Sequence, residues 1–316
     1  PARFRATARP MTDAPDPDAP GPDAPEPGAP GPDAPDLGGR DAGAAGAAGP
    51  AAPGDAAARV PVVRLKPRAG RRFLSGAPWV YADELVMDRR TRALAPGAVA
   101  VLEDAGRRPL GRVAVTPESG IVARLLDPDP AAEIDAAWLA ARLARAHALR
   151  ARLFADPVHR LVHAEADGLP GLVIDRFGDV LAIQPNAAWA EARAEALADA
   201  ALAVTGASTA VLNAAGRARA LEGLESGPPR VIRGALDGPI PVSMNGATYL
   251  ADPLGGQKTG LYLDQRENHA FTARLARGEA VLDVFAHVGG FALAALAGGA
   301  ASALAVDGSA PALALA

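Results

Sequence analysis

One stretch near the end of the chain, residues 280–307, restricts the fold more than any other. Ala280-Val281-Leu282-Asp283-Val284-Phe285 is an apolar run of strand length. It leads into Ala286-His287-Val288-Gly289-Gly290, where paired glycines allow a tight turn and a close approach of backbone to ligand, because no Cβ intervenes. A helix is expected over 291–296, stopped by Gly298-Gly299, and a second strand over 302–306 ends in Asp307. Strand, glycine turn, helix and strand make the β-loop-α-β unit of doubly wound sheets, which bind ligands at the carboxyl ends of their strands.

The loop itself selects among nucleotide cofactors. A dinucleotide fold wants Gly-x-Gly-x-x-Gly around a pyrophosphate. Here the spacing is Asp283-x-Phe285-x-x-x-Gly289-Gly290-Phe291. A carboxylate at the strand end repels a pyrophosphate but suits a ligand carrying an ammonium and a sulfonium, as S-adenosylmethionine does. Asp307, closing the second strand, can accept hydrogen bonds from both ribose hydroxyls. The missing glycine fingerprint argues against a nicotinamide-dependent dehydrogenase. A buried turn with no ligand is the plain alternative. Just upstream, Lys258 to Asn268 (KTGLYLDQREN) is too polar for core and is expected beside the cofactor loop.

The remainder of the chain reads as three further sections. Residues 1–58 are rich in Pro, Ala, Gly and Asp, with four arginines against nine acids, and are expected to be a disordered acidic tail. Residue 1 is Pro rather than Met, so this is not expected to be a natural start. Short apolar runs at 60–65, 98–102, 110–115 and 121–126, separated by Pro-Gly and Asp-Ala-Gly turns, predict a small β-barrel or sandwich over 60–130. That section holds twelve basic against eight acidic residues, a mildly basic patch compatible with RNA. Trp79 and Tyr81 could stack on a base, although core packing is the simpler reading. From 131 to 252 an α+β section is expected. It opens on a helix over 131–155 with Leu139, Leu143, Ala146, Leu149 and Leu153 on one face. A hairpin over 172–184, a helix over 189–203 and strands at 210–212, 231–232, 240–242 and 247–251 follow.

Composition excludes several classes. The 316 residues contain no Cys, so thiolate metal sites, disulfides and a cysteine nucleophile cannot come from this stretch, and a cytoplasmic setting fits. There is no apolar run of membrane-spanning length, and no membrane partner is expected. His159 and His163 are four apart but lack a third ligand, so no metal is expected; His287 is expected to pack the loop. Arg217 and Arg219 are expected on the surface, within reach of RNA at most.

Three stretches occur in one order: Asp167-Gly168-Leu169-Pro170-Gly171-Leu172 with Ile174-Asp175-Arg176-Phe177-Gly178; Thr259-Gly260-Leu261-Tyr262-Leu263-Asp264-Gln265-Arg266; and Leu282-Asp283-Val284-Phe285 with Gly289-Gly290-Phe291. With these, the chain from residue 60 onward closely resembles the class I S-adenosylmethionine-dependent ribosomal RNA methyltransferases of the large-subunit methyltransferase I type. The resemblance implies a PUA-like β-barrel, an α+β central domain and a Rossmann-like methyltransferase domain from about residue 253. It implies a ribosomal RNA partner and methylation at C5 of a cytosine. It places Gln265, Arg266, Asp283, Phe285, Gly289, Gly290, Phe291 and Asp307 at the cofactor. C5 methylation uses a thiolate that adds to C6 of the base, and relatives carry that nucleophile beyond the second strand. Ala316 falls in the helix expected after Asp307. The chain is therefore expected to stop short of a complete sheet, to expose apolar surface there and to be inactive alone, with no catalytic residue of its own. A pure RNA-binding module is the alternative.

Overall fold

The computed structural model of the chain describes residues 3–8, 60–256 and 259–316. Residues 9–59, and with them most of the expected acidic tail, lie outside the described residues, as does Lys258. Arg3–Ala8 (β1) is a strand, which corrects the expected tail at its outset. It lies parallel to the second strand of the glycine-turn unit, pairing Arg3 with Ser302 and Ala8 with Asp307. The physical reason is the open edge of that strand, whose backbone donors and acceptors accept any extended segment that reaches them.

Strands β2 (Val62–Arg64), β3 (Trp79–Val80), β4 (Ala98–Glu103), β5 (Pro109–Val115) and β6 (Ala123–Asp127) form a sheet in the order β2-β4-β5-β6-β3. Short helices α1 (Arg71–Leu74) and α2 (Arg89–Arg92) are inserted between them. Alternation along the strands sends Val63, Val80, Ala100, Leu102, Val113 and Val115 into one core.

The next section is built on α3 (Ala136–Leu153), β7 (Val158–His163), β8 (Leu172–Phe177), β9 (Val180–Pro185), α4 (Ala188–Glu191), α5 (Ala194–Thr205), β10 (Thr209–Leu212) and β11 (Arg230–Arg233). The sheet order is β11-β10-β9-β8-β7. The single helix expected over 189–203 is two, broken at Ala192-Arg193. Asp135 caps α3 by accepting from the Trp138 amide at 2.8 Å. Leu139, Leu143 and Ala146 of α3 face the core as the spacing predicts, but Leu149 and Leu153 do not, being 48% and 64% exposed. Arg150 takes the inward place instead, because Asp167 meets it with both oxygens at 2.5 and 2.8 Å and satisfies its charge.

A polar seam joins the first sheet to this section. Glu222 is 2% exposed and accepts from Thr116 Oγ1, Ser119 Oγ and Arg124 Nη2 at 3.0, 3.1 and 2.7 Å. Trp79 Nε1 donates to Glu165 at 2.9 Å across the same boundary, so Trp79 is a packing residue here. Arg219, expected at the surface, is 2% exposed and donates to the carbonyls of Pro185 and Glu225 and to Glu191. Substituting Glu222 by alanine is expected to cost about 2–4 kcal/mol, since two buried hydroxyls lose their acceptor and the half-buried Arg124 keeps only Glu165. Chemical denaturation would show this, and a loss below about 1 kcal/mol would mean that the seam is not held by this carboxylate.

Hairpin β12 (Ile240–Met244) and β13 (Ala247–Ala251) turns through Asn245-Gly246, both left-handed, and packs Val242, Met244 and Tyr249 against Val158, Phe177 and Ala182. After it come α6 (Arg266–Leu275), β14 (Ala280–Val284), α7 (Gly290–Ala297), β15 (Ser302–Asp307) and α8 (Ala310–Ala314). β1, β15 and β14 make an all-parallel sheet in that order. One face of β14 meets α7; on the other, Leu282 and Val284 are 62% and 52% exposed.

Candidate functional site

The loop after β14 is shaped by three left-handed residues, Phe285 (φ 63°), His287 (φ 50°) and Gly289 (φ 74°). For the two non-glycines this conformation costs about 1–2 kcal/mol each, and the surroundings hold it. The Ala286 amide donates to the Val306 carbonyl at 3.1 Å, and the His287 amide donates to Asp307 Oδ2 at 2.8 Å. The second oxygen of Asp307 accepts from the Ser309 amide, also at 2.8 Å. Asp307 thus fixes both loops at the strand ends while each oxygen keeps a lone pair for another donor.

Asp283 lies behind the loop rather than in it. It is 5% exposed, and its Oδ2 accepts from the Ala292 amide at 3.0 Å, serving α7 as a cap from a neighbouring strand. Burial raises its pKa above the ordinary carboxylate range, against the amides of Ala292 and Phe291, which pull it down.

A cavity of about 320 Å³ opens between this loop and the start of α6. Gln265, Phe285, Gly290, Phe291 and Asp307 line it; Asp283, Gly289 and Arg266 do not. Gly289 is the left-handed residue that starts α7. Arg266 points to the opposite side of α6, where it is 7% exposed, donates to the Val158 carbonyl at 2.7 Å and pairs with Asp156 at 3.0 Å. Next to Gln265 in sequence, Arg266 is here a clamp on β7.

The cavity also has walls that residue spacing alone did not single out. Tyr262 meets His287 edge-on at 4.8 Å between ring centroids. His269, one helical turn after Gln265, sits between Tyr249 (6.3 Å) and Phe291 (4.5 Å). The i, i+4 spacing of Gln265 and His269 was the available signal. Gly290 admits that imidazole: a Cβ on it would stand 2.7 Å from His269 Cε1 and Nε2. Aromatic walls, an amide side chain and a carboxylate fixed at the rim suit an adenine ring, a polar tail and a ribose. Among the described residues no cluster of three His, Asp or Glu could hold a metal; His159 is buried and His163 exposed.

Burial pushes the pKa of His269 down to about 4, and that of His159 likewise to about 4. Both imidazoles are neutral at pH 7. Unfolded, they titrate near 6.5, so between those values the unfolded chain binds more protons and stability falls as the pH drops. The melting temperature is expected to decline by roughly 5 °C from pH 7 to pH 5, and His159→Phe with His269→Phe should flatten that slope. A slope unchanged in the double variant would assign the acid sensitivity elsewhere.

Comparison with known proteins gives this geometry a setting. Residues 63–128 match the PUA-like domain family, and residues 204–314 match the S-adenosylmethionine-dependent methyltransferase family. Among curated proteins, the chain is 37% identical over 260 residues to the ribosomal RNA large subunit methyltransferase I of Shewanella denitrificans. It is 35% identical over 261 residues to that of Cronobacter sakazakii. Each match covers 79% of this chain, and the chain spans 64% of the length of these relatives. Among solved structures, an S-adenosylmethionine-dependent methyltransferase from Streptococcus mutans superposes with a TM-score of 0.65 at 18% identity, covering 81% of this chain and 65% of that one. A methyltransferase solved with S-adenosylhomocysteine superposes at 0.67, with the same identity and coverage. At that identity the likeness to solved structures shows the fold alone; with the two family matches it gives a PUA-like domain followed by a Rossmann-like unit of the methyltransferase type.

Proposed function

From a chain that joins a PUA-like domain to a methyltransferase-type cofactor unit, we propose that it serves an S-adenosylmethionine-dependent methylation of large-subunit ribosomal RNA, at C5 of a cytosine, in the cytoplasm. The observation that carries the reading is Asp307. Two backbone amides hold its carboxylate in the lining of the cavity and leave it lone pairs for a ribose. Gln265 stands at the same cavity, its Oε1 accepting from Asn268 at 2.9 Å, so the amide is oriented before any ligand arrives. Asp283, Gly289, Gly290 and Phe291 build the turn, and Phe285 flanks the opening, 82% exposed. Arg266 supports the segment from behind.

The cofactor supplies an activated methyl group on a sulfonium. This chain's residues hold its sugar and base and keep water from part of it. Adding a nucleophile to C6 of cytosine would need a thiolate, and these 316 residues contain no Cys. The described stretch therefore accounts for cofactor binding and for a face toward RNA, not for attack on the base. The expected result is measurable heat on titration of the 316-residue protein with S-adenosylhomocysteine, none with NAD, and no tritium transfer from labelled cofactor to ribosomal RNA. Silence with S-adenosylhomocysteine would remove the cofactor reading, and robust transfer would remove the division of labour. The relatives' names, which specify large-subunit ribosomal RNA, and the PUA-like match support the RNA partner.

A further inference from the structure

The 3-10 turn Leu263–Gln265 that leads into α6 is a partition. Tyr262 and Gln265 line the cofactor cavity on one side; Leu263, Asp264 and Arg266 line a second cavity, of about 280 Å³, on the other. The second cavity reaches α3, where it takes in Leu149, Leu153 and Phe154, and a further hollow along the same helix is lined by Arg145, Leu149 and Arg152. Sharing Leu149, the two form one groove.

Its chemistry is specific. Arg145, Leu149, Arg152 and Leu153 fall at i, i+4, i+7 and i+8 and share one face of α3. That face is exposed: the two leucines are the residues that the helical pattern would have buried, and both arginines are exposed. Among the described residues neither Arg145 nor Arg152 has an acidic partner; Arg145 donates to the Asp167 carbonyl at 3.2 Å. Of the groove's other arginines, Arg150, Arg160 and Arg266 are paired with Asp167, Asp175 and Asp156, so its uncompensated positive charge rests on Arg145 and Arg152 against Asp264. At the inner end Phe154 stacks on His159, 5.3 Å between centroids and 15° apart, and carries the Arg266 guanidinium 4.8 Å from its centroid, so the exposed apolar wall is that of Leu149 and Leu153. Exposed guanidinium groups about 10 Å apart along the helix axis, alternating with apolar side chains, are what a single nucleic-acid strand requires: cations for its phosphates and surfaces for its bases. An acidic or purely apolar partner would leave half of that pattern unused.

We propose that this groove receives a single-stranded segment of the RNA substrate, with phosphates on Arg145 and Arg152 and a base against Leu149 and Leu153. The strand then ends one 3-10 turn from the cofactor cavity. The proposal rests on the RNA reading above and gives it a second contact surface, on the central section rather than on the PUA-like domain.

The test is fluorescence anisotropy of a short labelled oligoribonucleotide with the 316-residue protein and its R145E/R152E variant across salt. Both side chains are exposed, so folding and S-adenosylhomocysteine binding should be unchanged. RNA affinity should fall about tenfold or more, and the slope of log affinity on log salt should shrink by about 1.4, two phosphates' worth for a single strand. Photo-cross-links from 5-bromouridine-substituted RNA should map to the peptide covering residues 145–163. Wild-type affinity and slope in R145E/R152E, with cross-links confined to the PUA-like domain or absent, would overturn the groove. Loss of S-adenosylhomocysteine binding in the unaltered protein would instead strike the cofactor reading, because the salt slopes are measured without it.

Discussion

Asp307→Ala is expected to weaken S-adenosylhomocysteine binding about 100-fold or more. Two charge-assisted hydrogen bonds to a sugar, each worth about 1.5–3 kcal/mol, would be lost with the carboxylate. The loop would slacken too, because the amides of His287 and Ser309 lose their acceptor. Asp307→Asn separates these causes. It keeps one acceptor oxygen for the loop but removes the charge and turns the other position into a donor. It should retain the melting temperature better than alanine does and yet bind the nucleoside poorly. Calorimetry of both variants beside their thermal melts decides the matter; if alanine and wild type bind alike, Asp307 is a loop brace only.

The second large effect is expected at Gly290. Alanine there would place a methyl carbon 2.7 Å from the His269 ring, and the ring cannot withdraw easily from between Tyr249 and Phe291. Overpacking of this kind costs about 1–3 kcal/mol. It would also push an imidazole across the cavity mouth, so cofactor affinity should fall with stability. His269→Ala in the same molecule removes the collision. The double variant should be more stable than the sum of the single losses predicts, a coupling that contacting residues show. Strict additivity in denaturation would mean that the two residues do not touch.

The sequence made some of this architecture easy to read and hid the rest. The unit from β14 to β15 stands out because an apolar run, two glycines and a terminal acid act locally, within reach of one another along the chain. The same holds for the Asp-x-x-Gly hairpin of β8 and β9 and for the Asp135 cap. What stayed hidden depends on distant partners. Arg150 displaces Leu149 and Leu153 from the core only because Asp167 is there to neutralise it. Arg219 and Glu222, which in sequence look like charged loop residues, are buried because Pro185, Glu191, Thr116 and Arg124 surround them. Thr259 belongs to the polar string before α6, yet its hydroxyl donates at 2.6 Å to Asp175, a buried carboxylate on β8 already paired with Arg160. Part of the polar string before α6 therefore ties the fold together. Arg266 is the plainest case, adjacent to Gln265 and turned the other way.

The seam at Glu222 has a consequence for measurement in the literal sense. One carboxylate gathers donors from two places in the first sheet, Thr116 and Ser119 before β6 and Arg124 within it, while Glu165 takes Trp79 and Arg124 from the same side. A joint cross-tied in this way resists bending, so the two sections behave like the fixed jaw and beam of a caliper. Under the function proposed above, RNA held by the first sheet would sit at a fixed reach from the central section, on which Arg266 seats the α6 side of the cavity, and the spacing along the strand would be set by that reach.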